Sequence, residues 1–205
     1  MTTTVQNPAP ELPLVILLGD SIRLGYEQVV KRELAGTAQL WAPSENGAHT
    51  AHTLANLPQW LAGKSAALVH LNCGLHDMWR NDDGSIRHPL DVYLTHLAAV
   101  FAKLKELAPQ AILVFALTTP VDQERQKTSG YGRIVRFNAD IPAYNAAARQ
   151  LAEAQGILVN DLYAVVEHGG TDSLIAADGV HFTPAGCERL GQAVASYVRA
   201  RLAEA

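Results

Sequence analysis

Four short stretches concentrate side chains able to do polar chemistry: Gly19-Asp20-Ser21, Glu45-Asn46-Gly47, Asn72-Cys73-Gly74-Leu75-His76-Asp77 and Asp178-Gly179-Val180-His181. Acyl transfer needs a hydroxyl held at a helix N-terminus, where its own backbone N–H can face a developing oxyanion. Ser21 stands directly before the apolar stretch that opens at Ile22. Asp178 and His181 are three residues apart, so one short turn lets the carboxylate orient an imidazole that acts first as general base and then as general acid. Each signal has an ordinary explanation when taken alone. Asp-Ser before a helix is an N-cap, Asp-x-x-His is frequent by chance, and the nucleophile elbow Gly-x-Ser-x-Gly is absent around Ser21.

What changes that weighting is the set of elements that must position these residues. Continuous apolar runs at Leu14 to Leu18, Ala38 to Ala42, Ala67 to Leu71, Ala111 to Leu117 and Ile157 to Val159 predict five strands covered on both faces. Helical spacing is expected over Ile22 to Leu34, Pro89 to Ala108, Ile141 to Gln155 and Pro184 to Leu202, the last opened by a Thr183 N-cap and an N1 proline. Strands alternating with helices through right-handed crossovers give a parallel sheet between two helical layers, a three-layer α/β/α sandwich. All strands of such a sheet end at one edge, so a serine after the first strand and an Asp-His pair before the last helix can meet despite lying at opposite ends of the chain. The long stretch Val121 to Asn138 is expected to be either a lid over that edge or a solvated excursion.

With these blocks on one edge, the sequence resembles the SGNH, or GDSL, hydrolase superfamily of esterases and lipases from Leu17 to about Gly186. Gly19-Asp20-Ser21 matches its first block, Gly47 the glycine of its second, Gly74-Leu75-His76-Asp77 its third and Asp178 to His181 its fifth. The resemblance implies a flavodoxin-like sheet, Ser21 as nucleophile, His181 as base, Asp178 as its partner, and the backbone N–H groups of Ser21 and Gly47 in the oxyanion hole. The third block usually reads Gly-x-Asn-Asp, whereas this chain carries His76 at the asparagine position. An imidazole N–H can donate where an amide did, so His76 is the expected third donor, with Asn72 the alternative.

Composition narrows the rest. The chain has 205 residues, 48% hydrophobic and 18% charged, with a formal net charge of -4, which fits one globular domain over 13–205 behind a flexible segment 1–12. Nothing in that charge attracts nucleic acid. No apolar run approaches the length that spans a bilayer, and no export signal is read at the N-terminus, so a cytoplasmic setting is expected. Cys73 and Cys187 have no disulfide or metal spacing. No phosphate-binding glycine motif occurs, and no cofactor or metal is expected.

Weaker signals surround the blocks. Arg23 sits in a first helical turn, where a cation opposes the macrodipole; it is expected either to border the substrate pocket or to pair with Glu27 at i, i+4. Trp79 and Arg80 are read as an aromatic platform with a polar donor suited to a sugar ring, the alternative being a surface loop around one packed tryptophan. Arg125, Arg133 and Arg136 in the long stretch are read as a solvated charge run, the alternative being contact with an acidic substrate. His49 and His52 are read as polar residues of a helical turn rather than a metal pair. The expected activity is hydrolysis of a small acyl ester, such as acetyl on a carbohydrate, through an acyl-enzyme. An acyl thioesterase or lysophospholipase is the rival of the same class. A non-catalytic glycan-binding module and a metal-dependent phosphoesterase built on His49, His52, His76 and Asp77 are rivals from other classes.

Overall fold

The computed structural model describes residues 11–204. Five parallel strands form one sheet in the order β2-β1-β3-β4-β5, with β1 Leu14–Leu18, β2 Gln39–Trp41, β3 Leu68–Asn72, β4 Ile112–Ala116 and β5 Leu158–Asn160. β1 and β3 are buried almost throughout, as strands covered on both faces must be. The expectation of two-sided cover fails for β2 and β5, which are three-residue edge strands with exposed ends, because the flanking helices run out at the sheet margins. From β1 the chain steps out to β2 on one side and returns to β3 on the other. The connections therefore leave the carboxyl ends of β1 and β3 in opposite directions and open a crevice there.

The helices are α1 (Ser21–Glu33), α2 (Thr50–Leu61), α3 (Leu90–Leu107), α4 (Gln123–Thr128), α5 (Ile141–Ala154), α6 (Leu162–Gly169), α7 (Thr171–Leu174) and α8 (Pro184–Ala203). α1 packs on α8 together with α6 and α7 in one layer, and α3 packs between α2 and α5 in the other. This is the expected three-layer sandwich. Thr183 caps α8 by accepting from the Gly186 N–H at 3.2 Å. α2 was foreseen only as a turn, because Pro58 and the interspersed polar residues break its apolar spacing. Its Thr50 and Thr53 are nevertheless buried, hydrogen-bonded to Asp77 and to the Gly47 carbonyl. The segment Val121 to Asn138 contains α4, a hydrophilic helix too short to show a periodicity.

The first ten residues of the segment 1–12 lie outside the described residues. No described helix is long and apolar enough to cross a membrane. Both cysteines are free thiols.

One core position has a thermodynamic consequence. His70 on β3 is fully buried, its Nε2 3.2 Å from the Asn160 side-chain nitrogen at the end of β5, and desolvation pushes its pKa down from 6.5 to about 4. Between those values the unfolded chain binds a proton that the folded protein refuses, so stability declines as pH falls through that window. Urea unfolding at about pH 7 and about pH 4.5 should show roughly 2 kcal/mol more loss in the wild type than in His70→Gln. Equal losses in the two proteins would contradict this assignment.

Candidate active site

The site is built from the turn that follows β1. Asp20 is the N-cap of α1, its Oδ1 accepting from the Ile22 N–H at 3.0 Å and from Asn72 Nδ2 at 2.9 Å. Asn72 Oδ1 in turn accepts from the Tyr26 hydroxyl at 3.3 Å. Asp20 is 1% exposed, so its charge is compensated by these hydrogen bonds rather than by water. Gly19 runs so close to Asn72 that a Cβ would fall on the carboxamide oxygen, which makes glycine obligatory there. Ser21 is thereby set as the first residue of α1, and its N–H has no acceptor among the described residues.

The partner side chains come from the loop before α8. His181 Nε2 lies 2.9 Å from Ser21 Oγ, and His181 Nδ1 lies 2.5 Å from Asp178 Oδ2. The other carboxylate oxygen, Asp178 Oδ1, accepts from the N–H groups of Val180 and His181, each at 2.9 Å. An ionised carboxylate can only accept, so Nδ1 carries the ring proton and Nε2 presents its lone pair to the serine hydroxyl. Burial works to raise the Asp178 pKa, but the His181 ring and the two backbone donors outweigh it and hold the carboxyl below the usual range. Asp178 therefore stays ionised when the imidazole takes up a proton. The His181 side chain is 41% exposed, so the row is open to solvent at its outer end.

Residues 121–138 buttress this loop rather than hang free. Gly179, at φ +78°, lies where a Cβ would strike the Asp122 carbonyl and the Gln126 N–H at the start of α4, and the Asp122 N–H donates to the Gly179 carbonyl at 2.8 Å. Arg125 donates to the carbonyls of Ile175 and Asp172 at 2.5 and 3.0 Å. Buried Gln126 receives the N–H groups of Val135 and Arg136 and donates to the Arg136 carbonyl, all at 3.0 Å. Arg136 Nε donates to the Leu75 carbonyl at 2.7 Å. The segment thus links the Asp178–His181 loop to the turn that carries His76. Arg136 is 3% exposed, which corrects its reading as a solvated charge; Arg133 likewise donates to the carbonyls of Arg80 and Asn81 and pairs with Asp82.

His76 is half-buried on that turn. Burial lowers its pKa; Asp20 acts against this, and Arg136 and Arg87 reinforce it. The neutral imidazole, with one N–H to donate, is accordingly favoured at neutral pH. Asn72, the alternative donor, is committed at both ends to Asp20 and Tyr26.

Two expectations are corrected. The Gly47 N–H does not point at an oxyanion position but donates to the Gly19 carbonyl at 2.9 Å, because the second-block loop presses on the β1 turn so tightly that a Cβ at Gly47 would sit 2.7 Å from that carbonyl. Arg23 is fully buried and has no surface to offer a substrate. It pairs with Glu27 one helical turn on and donates to the Glu45 carbonyl at 2.7 Å, which offsets its unfavourable place in the first turn of α1. Trp79 is half-buried, with the Arg136 guanidinium 4.9 Å from its ring centroid and the Tyr131 ring at 5.9 Å. Arg80 pairs with Asp140 and lines, with Arg133 and Phe137, an open groove of about 520 Å³.

A doubly wound parallel sheet carrying serine, imidazole and carboxylate in one hydrogen-bonded row at its switch-point edge defines the class: a serine hydrolase built on an α/β/α sandwich. The model of the GDSL-like lipase/acylhydrolase family matches residues 17–189, and the chain belongs to that family of ester hydrolases. Among solved structures, a lipase/acylhydrolase from Enterococcus faecalis superimposes with a TM-score of 0.76 at 22% identity, covering 93% of this chain and 97% of that one. An acetyl xylan esterase gives 0.71 at 19% identity, covering 90% and 99% of the two chains. A catalytic mutant of an acetylxylan esterase from Geobacillus stearothermophilus gives 0.72 at 18%, covering 91% and 94%. No curated protein sequence matches the chain.

The Asp178–His181 contact yields a direct test. Asp178→Asn preserves shape but makes an acceptor-only group a donor, so the ring favours the wrong tautomer, and kcat for ester hydrolysis should drop about 10⁴-fold with the circular dichroism spectrum unchanged. A drop of less than tenfold would show that the carboxylate does not set the imidazole.

Proposed function

We propose that the protein hydrolyses a short acyl ester, acetyl first among them, of a carbohydrate or similar polar alcohol. The observation that supports this reading most is the unbroken row from Asp178 through His181 to Ser21 Oγ. In the reading, Ser21 Oγ attacks the ester carbonyl carbon as its proton passes to His181 Nε2. The C–O bond to the alcohol then breaks, and the alcohol leaves with that proton. Water attacks the acyl-serine with His181 again taking a proton, which returns to Ser21 as the acid departs. Asp178 holds the imidazolium formed in each half-reaction.

The Ser21 N–H, free of any acceptor among the described residues, and the His76 ring N–H are the two donors assigned to the oxyanion. Gly47 is assigned a positioning role through Gly19. Support for a small acyl group comes from the similar solved structures, two of which are acetyl xylan esterases. Trp79 and Arg80 remain the candidates for contact with the alcohol, through the exposed part of the ring and the groove beside Asp140.

On p-nitrophenyl esters, kcat/KM should be greatest for acetate and decline with each added pair of methylenes. An increase toward octanoate, the behaviour of an apolar groove that fills by about 0.8 kcal/mol per methylene, would replace this reading with the lipase or thioesterase one. Ser21→Ala should have no turnover on any of them. His76→Ala should lower kcat by about 10² to 10³-fold, and His76→Asn should retain much of the wild-type rate. Full activity in His76→Ala would leave the oxyanion to backbone donors alone.

A further inference from the structure

We infer that Asp77, His88 and His96 form a binding site for a divalent transition metal of the zinc type, which clamps the His76-bearing turn to the start of α3. One carboxylate oxygen and one nitrogen from each ring lie within 4.8 Å of one another. A tetrahedral zinc, with bonds of about 2.0 to 2.2 Å, sets its ligand atoms roughly 3.4 Å apart, so side-chain rotations of about an ångström bring the three groups to bonding distance. The chemistry of the set, two imidazoles and one carboxylate, is that of a zinc site with a position left over.

Three features of the cluster point to a cation ligand. Asp77 is a fully buried carboxylate, and no lysine or arginine among the described residues comes within ion-pair distance of it; the ring facing it is that of His88, whose Nδ1 is 2.7 Å from Asp77 Oδ1. His96 Nδ1 is buried with no hydrogen-bond partner among the described residues, although it sits on α3 with solvent close by. The rings of His49 and His96 each approach that of His88 edge-on, at centroid separations of 4.9 Å. A buried carboxylate with no lysine or arginine beside it and imidazoles gathered around it is a ligand set to which a divalent ion supplies the positive charge.

The surroundings are also those of a ligand shell. The Thr50 N–H and hydroxyl both donate to Asp77, the hydroxyl at 2.5 Å to Oδ1 and the N–H at 3.1 Å to Oδ2. Such outer contacts fix the orientation of a ligating carboxylate. His49, the N-cap of α2, uses Nδ1 to accept from the His52 N–H at 3.2 Å and stands outside the three-ligand cluster. On binding, the ring proton now shared between His88 and Asp77 either moves to the other ring nitrogen or is released to solvent. The bound ion ties the turn after β3 to the start of α3, and the Thr50 bonds to Asp77 join the N-terminus of α2 to them.

The test uses the full chain, stripped with chelator and titrated with Zn²⁺ by calorimetry and with Co²⁺ by visible absorption. One equivalent should bind, Co²⁺ should show the d–d bands of a four- or five-coordinate site, and Zn²⁺ at about 100 times its Kd should raise Tm by about 5 to 10 °C. His96→Gln, a change at a partly exposed position that leaves the Asp77–Thr50 contacts in place, should weaken Zn²⁺ binding by at least about 100-fold, more than the loss of an outer contact costs. Absence of binding by the wild type would overturn the proposal, as would undiminished affinity in His96→Gln, which would move the ion to other histidines. Both results are independent of ester turnover and leave the Ser21 reading untouched.

Discussion

A buried carboxylate at the end of the first strand is the constraint on which the site depends. Asp20 holds the Ile22 N–H of α1 on one side and the Asn72 carboxamide on the other, through the same oxygen. It therefore fastens the carboxyl ends of the two central strands to each other across the switch point of the sheet. Removing either donor leaves a buried carboxylate under-satisfied, a cost of about 1 to 3 kcal/mol or more, which favours this geometry of the turn. Ser21 inherits that geometry as the next residue. Gly19 permits it by yielding the space that Asn72 occupies, and Gly47 seals it from the side of β2 through its bond to the Gly19 carbonyl.

The other half of the site needs a different means of support, because the Asp178–His181 loop stands far from its strand and is partly exposed. The long connection after β4 supplies it. α4 is seated on Gly179, Arg125 holds the carbonyls of the preceding loop, and the Gln126–Arg136 pair carries the linkage across to the turn of His76. The acid-base loop and the donor turn are thus braced by one segment, while the crevice between them stays open. Preorganisation of this kind lets hydrogen-bond donors act without reorganising during the reaction.

Much of this was legible in the sequence because it depends on spacing alone. Apolar runs of strand length located the five strands, and parallel order then forced Ser21 and His181 to one edge whatever their distance along the chain. What sequence did not disclose was how polar groups are shared. Asn72 and Gly47 each offer a donor that suits an oxyanion, yet Asp20 and the Gly19 carbonyl, equally near, claim those donors first. The competition is decided by ångström-scale approach, which periodicity does not encode. Arg23 illustrates the same point, since i, i+4 spacing to Glu27 was visible but the burial that settles its role comes from the loop around Glu45. α4 escaped notice because its stability comes from tertiary hydrogen bonds at Gln126 and Arg125, not from an apolar face. The pairing of His88 with Asp77 had no sequence signal beyond proximity.

The central claim is that Ser21, activated by His181, is the one hydroxyl that bonds to the substrate carbon. Reaction of the intact protein with a fluorophosphonate, followed by peptide mapping in a mass spectrometer, tests it most directly. A single adduct on the peptide bearing Ser21, formed at least about 10³ times more slowly in the His181→Ala variant, is the predicted result. Labelling of another residue, or an adduct on Ser21 that forms equally fast without the imidazole, would contradict the account.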